Sequence, residues 1–261
     1  MSTGVTYCCL PNMKHLPYAN EPDIESFFTY DFVPMLTHSI KTLRKVSNLP
    51  ITLFTDKPEM FQKLDINIER VTRRYDHASD KLECFMLTPY DTTIYLDCDT
   101  EILADPREII DDQYDLRACR ELQSDPYTKL WFGYSYTINT GVLVYKNNTK
   151  MRRVFLDSYM HADKLHQQGK LRSISGGEQT IINWFLYNND DRSCRVDLDI
   201  LPSKWNVRGP IYNVIKDKKI LHHHGLHDPQ KRAGFIKWAN EWKQHCLDLL
   251  EIDNTVESSV T

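Results

Sequence analysis

The stretch TTIYLDCDTEILAD, Thr92–Asp105, decides how the rest of the chain is read. Thr93-Ile94-Tyr95-Leu96 is a short β-branched and aromatic run with turn signals on either side, the pattern of a buried strand in a parallel sheet. Side chains alternate along a strand, so Asp97 and Asp99 are expected to point the same way at its C-terminal end. Ligands of open α/β sheets bind outside those ends. Two carboxylates there repel each other unless a cation sits between them. A hard divalent ion such as Mg2+ or Mn2+ does this and also brings phosphate oxygens. A lone D-x-D also reads as a strand-end aspartate capping the next turn, so the flanking sequence has to decide.

The chain of 261 residues is long enough for a substantial core, as one large domain or two small ones. The expected division is a single domain over residues 1–250 and a polar tail over 251–261. With 41% hydrophobic and 26% charged residues, the composition is that of a soluble globular protein. A net charge of -4 gives no argument for a nucleic-acid or anionic-membrane partner. No apolar run approaches the about 20 residues that span a bilayer. The start, MSTGVTYCCLPNMKH, lacks the basic and apolar parts of a signal peptide. A soluble, cytoplasmic protein is therefore expected. The cysteines are odd in number, 7, with no C-x-x-C, which points to reduced, mostly buried thiols and not to a disulfide frame or a zinc site.

Outward from the D-x-D, strands alternate with helices over the first half, which predicts a mostly parallel sheet with helices on both faces. Val5–Leu10 is a candidate first strand, and the loop Met13–Pro22 after it lies where a nucleotide base often docks. Phe27–Val46 reads as mostly helical, with Leu36, Ile40 and Leu43 on one face; Pro34 suits a first-turn position, so the helix proper is expected to start near it. Ile51–Thr55 and Ile66–Val71 are strands, and Pro58–Leu64 is a short helix. Ser79–Thr88 is a helix stopped by Pro89. Lys81 falls in its first turn, where a cation gains nothing from the helix dipole. It is a candidate for holding an anion, or a solvated surface lysine. Asp105 opens a short helix to about Ile110, and Leu116–Cys119 is a strand.

Gly141–Tyr145 reads as a strand after a polar bend at Asn139-Thr140, whose side chains either face a ligand or satisfy backbone groups. Met151–Leu165 is a helix. Ser175-Gly176-Gly177-Glu178-Gln179 leads into another over Thr180–Tyr187; its glycines allow a ligand close to the backbone, or make a flexible loop. Leu198–Pro202 and Lys219–Leu221 are short strands. The run His222-His223-His224-Gly225-Leu226-His227 has imidazoles that bind a metal or simply pack. Phe235–Leu250 has the spacing of an amphipathic helix.

Taken in order, DKLECFMLTPYDTTIYLDCDTEIL, INTGVLVYKN, SGGEQTIINWFL, LPSKWN and ILHHHG resemble the glycogenin-like family 8 glycosyltransferases, over roughly Val5 to Gly225. The resemblance implies a GT-A fold, α/β with a Rossmann-like central sheet. It also implies a retaining transferase that takes a sugar from a UDP-sugar with Mn2+ (or Mg2+) and passes it to a carbohydrate acceptor. By resemblance, Asp97, Asp99 and His222 hold the metal, and Asp97 also touches the ribose. Lys81 contacts the donor. Asn139 and Thr140 match the N-[ST]-G bend beside the donor sugar, and Glu178 and Gln179 an Asp-Gln pair at that sugar. Leu10 and Tyr18 stand where the base is held. Gly225 follows the metal histidine as in the family.

The chain departs from the family at three points. Glu178 is one methylene longer than the usual Asp. In place of a Lys-Pro-Trp diphosphate clamp it has His227-Asp228-Pro229-Gln230-Lys231-Arg232, where Lys231 or Arg232 would substitute. No tyrosine is matched to the one that glycogenin glucosylates, so self-glucosylation is not carried over. Two rivals stand beside the transferase. A nucleotidyltransferase would carry a glycine-rich basic loop after the first strand, where this chain has CCLPNMKHLPYAN. A non-catalytic protein that binds a nucleotide-sugar would differ only in lacking turnover.

Overall fold

A computed structural model of the chain describes residues 1–11, 32–121, 137–174, 177–188, 195–208, 211–212 and 214–223. Its strands are β1 (Thr3–Cys8), β2 (Ile51–Thr55), β3 (Asn67–Arg70), β4 (Thr92–Leu96), β5 (Thr100–Ile102), β6 (Leu116–Arg120), β7 (Ile138–Lys146), β8 (Leu198–Leu201) and β9 (Ile220–His222). Its α-helices are α1 (Phe32–Val46), α2 (Lys81–Met86), α3 (Thr149–Gln167) and α4 (Gly177–Tyr187).

A seven-stranded sheet runs β3-β2-β1-β4-β7-β6-β8, and β5 pairs with β9 in a separate two-stranded sheet. All neighbours in the large sheet are parallel except β7, which is antiparallel to both β4 and β6. This is the expected mostly parallel sheet. Its order reverses at β1, which has β2 on one side and β4 on the other. Ligands of open α/β sheets bind at such a reversal, outside the carboxyl ends of the adjacent strands, here β1 and β4.

Strands β2 and β4 are buried at every residue, because helices cover both faces. On one face, Leu36, Ile40 and Leu43 of α1 pack with Val5, Leu53 and Ile94. On the other, Leu82, Phe85, Phe155 and Ile181 from α2, α3 and α4 pack with Tyr95 and Leu143. Phe85 stacks on Phe155 at 5.1 Å between ring centres and meets Tyr95 edge-on at 4.6 Å. A buried hydroxyl chain, Tyr7 to Ser39 to Thr100 at 2.9 Å each, ties β1, α1 and β5 together.

Several local expectations are corrected. Pro58–Leu64 forms only a 3-10 turn over Pro58–Met60, and the turn after Asp105 is likewise 3-10, over Pro106–Ile109. The helix expected over Ser79–Thr88 splits into a 3-10 turn, Ala78–Asp80, and the short α2. Asp80 turns its carboxylate back to accept from the Arg74 and Tyr75 N–H groups, at 2.8 and 2.9 Å, which fixes that break. Asn139 and Thr140 are not a bend; they lie inside β7, buried like their apolar neighbours. The strand expected over Lys219–Leu221 is β9, shifted by one residue, but its pairing with β5 across a long separation has no local signal in the sequence. Cys8, Cys9, Cys84, Cys98 and Cys119 are buried thiols, as expected. The candidate base loop, the Phe235–Leu250 segment, Cys194 and Cys246 lie outside the described residues. No helix among the described residues is long and apolar enough to cross a membrane.

At the opposite sheet edge, Asp115 joins the starts of β6, β8 and α3. Its carboxylate accepts from Asn148 Nδ2 at 2.6 Å, Lys150 Nζ at 2.9 Å and the Asp197 N–H at 3.0 Å. Burial favours the neutral acid, but the Asp197 N–H, Lys150 and Asn148 outweigh it and hold the group below its usual range. A depressed folded-state value gives stability that is present above the unfolded value of about 3.9 and lost as pH falls through the folded one. Asp115→Ala should therefore cost about 1–3 kcal/mol in urea unfolding at neutral pH, because the Asp197 N–H, Asn148 and Lys150 all lose the carboxylate that joins them. The gap between variant and wild type should narrow below about pH 4. An equal gap at both pH values would contradict this account.

Candidate functional site

β4 ends at Leu96, and Asp97 begins a tight turn. Thr100 Oγ1 closes that turn onto the Asp97 carbonyl at 2.8 Å, and the Asp97 N–H is held by the Gly141 carbonyl at 2.8 Å. The carboxylates of Asp97 and Asp99 therefore converge through a turn and not through strand alternation. The third member comes from far along the chain. Register in the small sheet sets His222 opposite Thr100, and the His223 N–H donates to the Asp99 carbonyl at 2.9 Å. His222 Nε2 then lies 3.2 Å from Asp99 Oδ1 and 3.6 Å from Asp97 Oδ2. One ligand atom from each of the three residues falls within 4.8 Å of the others. Two carboxylate oxygens and one imidazole nitrogen suit a divalent ion such as Mn2+, with remaining positions open to phosphate oxygens. Burial alone would lower the His222 pKa, but Asp99 and Asp97 reverse this and raise it.

Lys81, at the start of α2, reaches the same place. Its Nζ donates to Asp97 Oδ1 at 2.8 Å and to Glu178 Oε1 at 3.2 Å. Burial works against the ammonium, yet Asp97 and Glu178 hold its pKa well above the lysine range. Lys81 is thus no solvated surface lysine: it pairs with two of the chain's own carboxylates. Tyr95 donates its hydroxyl to Asp97 Oδ1 at 2.8 Å. Burial and Asp97 keep that phenol protonated.

Glu178 and Gln179 stand in the first turn of α4. Gly177 before them has φ 55°, the left-handed region open to glycine. A Cβ there would lie 2.9 Å from the Ala78 methyl. Glu178 is 4% exposed and also accepts from Thr140 Oγ1 at 3.3 Å. Burial raises its pKa most, Asp97 adds to the rise, and Lys81 opposes it. Gln179 Oε1 accepts from the Thr140 N–H at 3.1 Å and from Asn139 Nδ2 at 2.9 Å. Asp97, Asp99, His222, Lys81, Thr140, Glu178, Gln179 and Asn139 are thus brought together. Leu10 is buried in the apolar cluster with Phe54 and Leu82. Tyr18, Gly225, Lys231 and Arg232 lie outside the described residues.

Sequence reasoning missed the polar layer beneath these residues. Asn206 links Asn139 to His222, and Glu121 takes hydrogen bonds from Asn139 and Gln179 while ion-pairing with Arg208. Asn206 was present only as the last letter of LPSKWN. Glu121 and Arg208 are far apart in sequence and sit in no motif.

No family model and no curated protein matches the chain. Among solved structures it is similar to the galactosyltransferase LgtC in complex with donor and acceptor sugar analogs. The TM-score is 0.58 over 93% of this chain and 99% of that one, at 13% sequence identity. At that identity the likeness is one of fold, and the fold is the α/β, Rossmann-like GT-A arrangement expected from the sequence.

Proposed function

We infer that the chain is a metal-dependent retaining glycosyltransferase that takes its sugar from a UDP-sugar and passes it to a carbohydrate acceptor. The observation that carries this reading is the convergence of Asp97, Asp99 and His222 at the sheet's reversal point, with Lys81 and Glu178 against them. A divalent ion held by these three residues supplies a Lewis acid for the charge that builds on the departing diphosphate. The chain's own groups do the rest. Lys81 keeps its charge in a buried site, where a fixed cation acts strongly on a phosphate. Thr140 and Lys81 fix the Glu178 carboxylate, and the Thr140 N–H fixes Gln179, so both enter the site in set orientations. Retention with attack from the leaving-group face needs positioning more than a strong base. We assign Glu178 and Gln179 to holding the donor sugar.

The test is calorimetric titration of UDP with and without Mn2+, followed by UDP release from a panel of UDP-sugars. Metal-dependent UDP binding with release from one donor is expected. Binding without release in any acceptor mixture would favour the non-catalytic binding protein. No metal-dependent binding of UDP would overturn the assignment.

A further inference from the structure

The polar layer under the site has one fixed direction, and two backbone N–H groups set it. The Gly141 N–H donates to Asn139 Oδ1 at 3.0 Å, so that oxygen accepts and Asn139 Nδ2 faces the other way. There Nδ2 donates to Glu121 Oε2 at 2.8 Å and to Gln179 Oε1 at 2.9 Å. The Thr140 N–H fixes the Gln179 amide in the same way, and Gln179 Nε2 donates to Glu121 Oε2 at 2.9 Å. Both amides thus hang on one carboxylate, which the guanidinium of Arg208 holds in place.

The direction passes on to the metal side. Asn139 Oδ1, already an acceptor, lies 2.8 Å from the Asn206 amide, so Asn206 must present Nδ2 to it. Asn206 Oδ1 is then turned to His222 Nδ1 at 3.0 Å. An amide oxygen only accepts, so Nδ1 carries the hydrogen. The other nitrogen, Nε2, is the one directed at Asp97 and Asp99. Outer partners of this kind orient a metal-binding histidine and select its tautomer.

The geometry points to Asn206 as a positioning residue that locks His222 in its metal-binding orientation and, through Asn139, ties it to the Gln179 amide, with Glu121 as the anchor of the whole relay. The sugar-side and metal-side groups are then one hydrogen-bonded unit. The kinetic part of this inference rests on the transferase reading above; the structural part does not.

The test uses Asn206→Leu, which can neither donate nor accept, and Asn206→Asp, which accepts from Nδ1 but cannot donate to Asn139. Long-range proton–nitrogen correlation spectra of histidine-labelled protein show whether His222 Nδ1 carries a slowly exchanging hydrogen. It should do so in the wild type and in Asn206→Asp, and lose that protection in Asn206→Leu. Mn2+ affinity measured with UDP should fall about 10- to 100-fold in Asn206→Leu, the usual loss for an outer partner. In Asn206→Asp the Mn2+ affinity should hold while kcat for UDP release falls about tenfold or more, because the Asn139 and Gln179 amides lose register. A purely structural role would not produce that split. A bare Nδ1 in the wild type overturns the relay, and so does an Asn206→Leu variant with wild-type exchange and wild-type Mn2+ affinity. If the wild type shows the Nδ1 hydrogen but no Mn2+-dependent UDP binding, the transferase reading fails and the relay stands.

Discussion

Asp99→Ala should weaken Mn2+-supported UDP binding by at least about a hundredfold, or about 2.7 kcal/mol, since losing an outer partner of a ligand already costs 10- to 100-fold. The side chain is one of the three candidate ligands that converge among the described residues, and its Oδ1 lies 3.2 Å from the His222 ring. With alanine there, Asp97 and His222 remain, and two ligands hold a hard divalent ion poorly in water. The fold should survive. The local backbone bonds, Thr100 N–H to Asp97 carbonyl at 3.3 Å and His223 N–H to Asp99 carbonyl at 2.9 Å, do not use the carboxylate. The checks are titration of UDP with and without Mn2+ and the thermal midpoint. A variant that binds UDP with wild-type metal dependence would remove Asp99 from the site.

Gly141→Ala should do comparable damage to binding and also destabilise the protein. A Cβ at this position would sit 2.6 Å from His222 Nδ1 and 3.0 Å from Asp97 Oδ2. Neither neighbour can yield freely. His222 is bonded to Asn206 through its ring and to the Val207 carbonyl through its N–H, and the Asp97 N–H is held by Gly141's own carbonyl. Overpacking of this kind costs about 1–3 kcal/mol. Relief requires moving the histidine away from the aspartates or parting β7 from β4. Urea unfolding and UDP titration together separate this variant from Asp99→Ala, which should lose binding alone. Normal metal-supported UDP affinity in Gly141→Ala would show that the ring can move without cost.

The parts of the fold that could be read in the sequence are those fixed by local patterns. β2 is the Ile51–Thr55 run as predicted, and β4 differs from its predicted span by one residue. The period of Leu36, Ile40 and Leu43 marks the buried face of α1. What escaped is set by pairing across long separations. The reversal of β7 leaves no local trace. Asn139 and Thr140 look like a bend because polar residues in a strand interior suggest one. They are tolerated there because Glu178, Gln179, Glu121 and Asn206 satisfy them. In the site, the ligand-type residues were visible as motifs, whereas Glu121, Asn206 and Arg208 are ordinary polar residues whose importance comes only from the hydrogen bonds and ion pair that they make beneath the site.

The small β5–β9 sheet has a consequence for how the site comes into being. Its register sets Thr100 opposite His222, from distant parts of the chain, and a side-chain bond from His223 to Glu101 just beside it spans 122 positions. Among the described residues the seven-stranded sheet ends its last strand at Leu201, while the third candidate ligand arrives only with Ile220–His222. During synthesis the polypeptide therefore owns every described strand of its main sheet before it owns all three residues of the candidate cation site. A ribosome that stops short of His222 releases a product with two aspartates and no histidine to join them, whatever order its pieces fold in.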